Sequence, residues 1–261
     1  MKICICGKGG SGKSTIVKLM ADAFKKLGKD VTILDSDESN TGLFWMLGLP
    51  KPPSPLMESL GGKKKVQEKM IARFSQGKTE PEISIWEGKK ILTDYLPAKY
   101  VVQKGNLRLI TTGKIYQALE GCACPMGVVT REFLKKFELG PNEVILVDMD
   151  AGIEHFGRGI EASVDAVVGV VDPSLESITM AAKIKELTQS VGASFKGVII
   201  NKVNSPNQKS ALFEKLKNFG VPILGTIYYY DEIVSSSLEG KTFDVPEASA
   251  EMEGIVKSYF R

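Results

Sequence analysis

Apolar positions along the 261-residue chain fall into two rhythms. Short, β-branched runs occur at residues 2–6, 31–35, 107–111, 143–148, 166–171, 196–201 and 222–229. Such continuous runs read as strands covered on both faces, as in a parallel sheet, because a strand with one wet face would alternate apolar and polar residues. Between them, residues 14–27, 174–190 and 207–219 carry apolar positions at helical spacing. Strand and helix alternate, which predicts a doubly wound α/β fold with a mostly parallel sheet and ligands at the carboxyl ends of its strands. Ser174 is the expected N-cap of its helix, with Ser177 where a full capping box has Glu. At the end of the chain Met252, Ile255, Val256, Tyr259 and Phe260 share one helical face. The opposite face mixes Glu251, Glu253, Lys257 and Arg261, whereas a membrane-surface helix is rich in bases, so this helix is expected to dock on its own sheet.

Residues 50–103 break the rhythm and read as an insertion, ordered in part, within a single domain spanning 1–261. Val66, Met70 and Phe74 fall on one helical face there, and Lys63-Lys64-Lys65 reads as a solvated helix start. The composition, 43% hydrophobic and 25% charged, is that of an ordinary globular protein. A net charge of +3 is far from the concentrated positive field that nucleic-acid binding requires, so no nucleic-acid partner is expected. The chain opens without the zones of a secretory leader and has no apolar run of the ~18 residues that a span requires. A cytoplasmic protein with no membrane partner is the expectation.

The strongest chemical signal is Gly7-Lys8-Gly9-Gly10-Ser11-Gly12-Lys13-Ser14, a G-x-x-x-x-G-K-[ST] loop between a strand and a helix. Backbone N–H groups of Gly9, Gly10, Ser11, Gly12, Lys13, Ser14 and Thr15 are the expected phosphate cradle. Lys13 reaches the β and γ phosphates, and the Ser14 hydroxyl is a ligand for Mg²⁺. Lys8 is the informative residue: a lysine at the front of the loop points away from its own cradle and can reach a nucleotide held by a neighbouring molecule. A merely solvated lysine is the plain alternative.

With that second lysine the loop resembles the deviant Walker A loop of the MinD/ParA-like positioning, arsenite-pump and nitrogenase-iron-protein ATPases, the SIMIBI class of P-loop NTPases. The resemblance implies a face-to-face ATP-dependent dimer in which Lys8 crosses to the partner's nucleotide and acts as an arginine finger does. It also implies that Asp35-Ser36-Asp37-Glu38-Ser39-Asn40 is the first switch, with Asp37 positioning the attacking water, though the family often has Pro where Glu38 stands. Asp148, ending a Walker B strand, is implied near Mg²⁺ or its waters, and Asp148-Met149-Asp150-Ala151-Gly152 is the second switch, with Gly152 near the γ-phosphate. Base choice follows from Asn201-Lys202-Val203-Asn204, which lacks the Asp that accepts from guanine. ATP and ADP are therefore the expected nucleotides, with Asn201 as the base contact.

Of the four cysteines, Cys122 and Cys124, in Gly121-Cys122-Ala123-Cys124-Pro125, place two thiols within chelating reach of one ion. A tetrahedral thiolate site needs four ligands. Cys4 and Cys6 lie in the strand feeding the phosphate loop and read as core residues. A twofold dimer completes the set, each copy giving Cys122 and Cys124 to one ion on the axis. A redox Cys-x-Cys, an iron–sulfur cluster bridging two chains, a structural zinc site and no metal at all remain as alternatives. His155 is the only histidine, and a hydrogen-bonded switch-loop role is expected for it rather than ligation.

Taken with Thr112-Gly113-Lys114-Ile115 and Ile153-Glu154-His155-Phe156-Gly157-Arg158-Gly159, these motifs resemble the nickel-insertion accessory ATPases of carbon monoxide dehydrogenase and acetyl-CoA synthase. That resemblance implies a homodimer that holds nickel or zinc at the cysteine pair and delivers nickel to the apo nickel enzyme. The rival from another class is a MinD/ParA-like positioning ATPase that binds a membrane or nucleoid.

Overall fold

The computed structural model describes residues 1–74, 90–92, 96–115 and 124–260. Its strands are β1 (Lys2–Gly7), β2 (Asp30–Asp35), β3 (Val102–Lys104), β4 (Leu107–Thr111), β5 (Glu143–Asp148), β6 (Ala166–Val171), β7 (Phe195–Val203) and β8 (Ile223–Tyr228). Its α-helices are α1 (Lys13–Lys26), α2 (Leu43–Met46), α3 (Leu56–Ser59), α4 (Lys63–Phe74), α5 (Cys124–Lys136), α6 (Leu175–Ser190), α7 (Pro206–Asn218), α8 (Asp231–Leu238) and α9 (Pro246–Tyr259). The sheet runs β3-β4-β2-β5-β1-β6-β7-β8, and every neighbouring pair is parallel except β3 with β4. The predicted doubly wound α/β architecture is therefore present.

Burial on both faces follows from the two-residue period of a strand. Ile3 and Ile5 of β1 enter the core beneath α1, α2 and α9, while Cys4 and Cys6 enter the opposite core beneath α3, α4 and α5. Both cysteines are fully buried, as expected of core residues. A third core lies between α6, α7 and the β6–β8 end of the sheet. Ser174 caps α6 by accepting from Ser177 N at 3.2 Å, and Ser177 Oγ in turn accepts from Asp172 N at 3.1 Å. Ser177 thus reaches two residues before the cap, while the cap's own N–H donates to Asp172 O at 2.7 Å.

Two findings add to these expectations. The described part of 50–103 is structural: Leu56, Met57, Leu60, Val66, Ile91 and Tyr100 are buried in the same core as α5. Its end supplies β3, paired with β4 across the turn Gly105-Asn106, a short hairpin signal hidden beside an irregular segment. Lys64 and Lys65 are exposed on the first turn of α4, as a solvated helix start requires; the side chain of Phe74 lies outside the described residues. Cys124 is the first residue of α5, a helix that the Cys-Ala-Cys-Pro-Met-Gly opening disguises as loop. In α9, Met252, Ile255, Val256 and Phe260 are buried while Tyr259 is 47% exposed, so the apolar stripe docks on the protein's own core. Among the described residues no helix is long and apolar enough to cross a membrane.

α5 is anchored by Phe133, fully buried and stacked on Phe137 with centroids 4.8 Å apart. Phe133→Ala removes that contact and leaves a cavity, and is expected to destabilise the protein by about 3–5 kcal/mol. Urea unfolding followed by circular dichroism measures it; a cost near zero contradicts this packing.

Candidate functional site

Phosphate loop, both switches and Asp148 meet at the carboxyl edge of β1, β2, β5 and β7. The loop leaves β1 at Gly7 and enters α1 at Lys13, with Gly12 as N-cap in the left-handed region at φ 94°. Only glycine fits at Gly12, because a Cβ would also collide with Asn201 Nδ2. Gly9 and Gly10 are exposed, Ser11 is buried, and Thr15 sits half-buried in the first turn of α1. Asn201 Nδ2 donates to Ser11 O at 2.9 Å, and Lys202 Nζ donates to Gly10 O at 2.7 Å. Two loop carbonyls are thereby tied to the end of β7, which favours a loop whose N–H groups face the cradle. Lys202 achieves this with φ 61°, a left-handed conformation unusual for a lysine. Sequence reading singled out Asn201 as a base contact; its amide is engaged with the loop itself.

Lys13 is buried, and its ammonium lies 3.4 Å from Lys8 O. Lys8 points out of this cradle toward the start of α6, 3.4 Å from Glu176 and 3.8 Å from Asp172.

Ser14 and Asp148 meet at one corner of the site. Ser14 Oγ donates to Asp148 Oδ2 at 2.6 Å and accepts from Asn40 Nδ2 at 2.9 Å. Asp148 is fully buried and its Oδ1 has no hydrogen-bond partner among the described residues. An orphaned carboxylate oxygen beside a serine hydroxyl fits a hard, oxygen-liganded cation, so the residues present suit Mg²⁺. Burial pushes the Asp148 carboxyl up to about 6 despite the hydrogen bond from Ser14 and the nearby Lys13 charge. Asp35, one strand over and in register with Asp148, is pushed by burial to about 7, with Lys114 pulling the other way.

Asp37 follows β2, and its Oδ1 accepts from Ser39 N at 2.9 Å and from Ser39 Oγ at 2.6 Å, a local turn of the first switch. The second switch is tied to the phosphate loop: Gly152 N donates to Gly7 O at 3.2 Å. Beyond it, Asp150 pairs with Arg158 at 3.0 Å, and the Arg158 stem lies against Gly127 of α5, where any Cβ would collide with it. Thr130, on the next turn of α5, reaches the first switch, its Oγ1 lying 2.8 Å from Ser36 Oγ and 2.9 Å from Thr112 Oγ1. The helix that begins at Cys124 is therefore joined to 35–40 through Thr130 and to 148–152 by way of Arg158. Thr130 was not singled out in sequence, and Arg158 and Lys202 stood there only as members of motifs, because their contacts with Ser36, Gly127 and Gly10 join segments far apart in the chain.

Cys124 is exposed. Cys122 and the side chain of His155 lie outside the described residues. Among the described residues no group of three or more His, Cys, Asp or Glu is arranged to hold a metal ion.

Comparison with known proteins agrees with this geometry. Residues 3–243 match the family described as the CobQ/CobB/MinD/ParA nucleotide binding domain. An uncharacterized ATP-binding protein of Methanocaldococcus jannaschii is 41% identical over 255 residues, covering 98% of this chain and 96% of its own. The carbon monoxide dehydrogenase accessory protein CooC of Rhodospirillum rubrum is 31% identical over 244 residues, covering 92% of this chain and 88% of its own. The septum site-determining protein MinD of Pyrococcus horikoshii, solved with Mg-ADP, superposes with a TM-score of 0.69 at 17% identity. It covers 100% of this chain and 96% of that one, a likeness of fold. The chain belongs to the CobQ/CobB/MinD/ParA nucleotide-binding family and is a P-loop ATPase.

Proposed function

We propose that this ATPase is a metallochaperone. Two copies close on ATP and Mg²⁺, hold nickel or zinc between the Cys122 and Cys124 thiolates of both, and deliver nickel to an apo nickel enzyme, carbon monoxide dehydrogenase or acetyl-CoA synthase. The observation that carries this reading is the attachment of the Cys124 helix to both switches, through Thr130 to Ser36 and through Gly127 and Arg158 to Asp150. The 31% identity to a protein named as a carbon monoxide dehydrogenase accessory protein supports it.

In this reading the N–H groups of Gly9, Gly10, Ser11, Gly12, Lys13, Ser14 and Thr15 cradle the phosphates, with Lys13 on the β and γ oxygens. Ser14 and Asp148 hold Mg²⁺, which when bound neutralises charge on the β and γ oxygens. Asp37 orients the water that attacks the γ-phosphorus as ADP leaves. Lys8 of each copy faces the nucleotide of the other, and Gly152 senses the γ-phosphate. Asn201, while fixing the loop, borders the adenine. Loss of the γ-phosphate releases both switches, and α5 carries the change to Cys124. Thiolate ligation releases protons, so metal affinity falls at low pH.

The positioning reading drew on the C-terminal apolar stripe, which is buried against α1 and β8. To test the chaperone reading, nickel and zinc affinity is measured by titration calorimetry with ADP and with a non-hydrolysable ATP analogue. The expected outcome is an affinity about tenfold or more apart between the two states and binding lost in Cys124→Ser. Equal affinities, with binding kept in Cys124→Ser, sink it.

A further inference from the structure

Lys114 has no assigned role, yet its side chain is 7% exposed and directed at the first switch. Its ammonium lies 2.7 Å from Asp35 Oδ2 and donates to the main-chain oxygen of Asp37 at 2.5 Å. The backbone around it repeats the attachment: Thr112 N donates to Asp35 O at 2.9 Å, and Ile115 N donates to Glu38 O at 3.3 Å. Residues 112–115 thus run beside 35–38, beyond the last parallel pair of β2 and β4.

We propose that Lys114 is a positioning residue for ATP hydrolysis, clamping the Asp37 main chain so that its carboxylate stands where the attacking water must be held. The proposal rests on the reading of Asp37 above and is independent of any carried metal. Two physical points support it. First, an ammonium is a compact donor that can serve two acceptors in different directions, here a carboxylate and a carbonyl, where a planar guanidinium would prefer a single bidentate partner. Second, the switch has somewhere to go without the clamp. A cavity of about 90 Å³ lined by Asp35, Asn40, Thr111 and Lys114 lies beside it, walled by Phe44 and Pro53. Displacements of about 1 Å at a reacting group cost up to ~100-fold in rate, so a clamp on the main chain of Asp37 is a kinetic device.

Lys114 also balances the buried Asp35 charge, and a merely structural role would end there. Three variants separate the two. Lys114→Met is expected to lower kcat about 10- to 100-fold while KM for Mg·ATP and the affinity for a fluorescent ADP stay within about threefold. The double variant Asp35→Asn/Lys114→Met removes the charge to be balanced along with the clamp. It is expected to melt within a few degrees of the unmodified protein and yet keep the loss in kcat. Asp37→Ala is the reference. Should Asp37→Ala hydrolyse ATP normally, the reading of Asp37 itself falls. Should Asp37→Ala be inactive while the double variant regains kcat within about threefold of the unmodified protein, Lys114 only balances charge and the inference is overturned.

Discussion

Lys8→Ala is expected to bind ATP within about threefold of the unmodified protein and to hydrolyse it about 10³-fold more slowly, the lower end of what a charge supplied from a neighbouring subunit contributes to phosphoryl transfer. Lys13 lies in the cradle of its own chain, whereas Lys8 turns outward to Glu176 and Asp172. Both pairs are long and partly solvated, with Glu176 itself exposed, so they hold Lys8 only weakly, by about 0–1 kcal/mol, and a partner's triphosphate competes with them at little cost. The consequence is testable without a structure of the dimer. Lys8→Ala keeps an intact Asp37 and cradle; Asp37→Ala keeps an intact Lys8. When the two inactive variants are mixed, half of randomly assembled dimers pair them, each with one complete site, so activity returns to about a quarter of the unmodified level. Steady-state phosphate release on a mixing series measures this. No recovery at any ratio excludes action across a dimer.

Asp148→Asn moves activity and stability in opposite directions. Hydrolysis is expected to fall about 10²- to 10³-fold, because the carboxylate that suits Mg²⁺ is lost while its hydrogen bond with Ser14 can be kept by the amide. Without nucleotide, however, the variant should melt a few degrees higher, the usual cost of function turned into stability. Asp148 and Asp35 ionise at about 6 and about 7 in the folded protein, against 3.8 when unfolded, so between pH 4 and 7 the folded state binds more protons. Stability therefore decreases as pH rises through that window and increases as pH falls. The nucleotide-free protein should melt higher at pH 6 than at pH 7.5, and the difference should shrink in Asp148→Asn. Thermal melts at several pH values, without nucleotide or Mg²⁺, measure both effects. An unchanged or opposite pH trend contradicts the burial argument for these carboxylates.

What was legible in the sequence was legible because it is local. The runs at 2–6, 31–35 and 143–148 are apolar between their ends apart from Thr32, which suits strands covered on both faces, and they became β1, β2 and β5. The phosphate loop is a contiguous string whose glycines and lysine carry their chemistry in sequence. Less was legible where a local signal misleads. Cys124 looks like a loop residue because Pro125 and Gly127 follow it, yet proline is at home in a first helical turn and Gly127 makes room for Arg158. Residues 50–103 read as an insertion because they break the strand–helix rhythm, and what the sequence did not show is that their apolar residues fill the core beside α5.

Sequence by itself determined the fold class, the strand that feeds the phosphate loop, the P-loop motif from Gly7 to Ser14 and the presence of a second lysine in it. Only the tertiary structure decided what holds those parts in working geometry: Asn201 and Lys202 on the loop carbonyls, Asp148 beside Ser14, Lys114 behind Asp37, and Thr130 and Arg158 between the switches and the cysteine helix. The division has a physical cause. Propensity and burial period act between neighbours in the chain, whereas clamps and ion pairs act between residues that only the sheet order brings within hydrogen-bond distance.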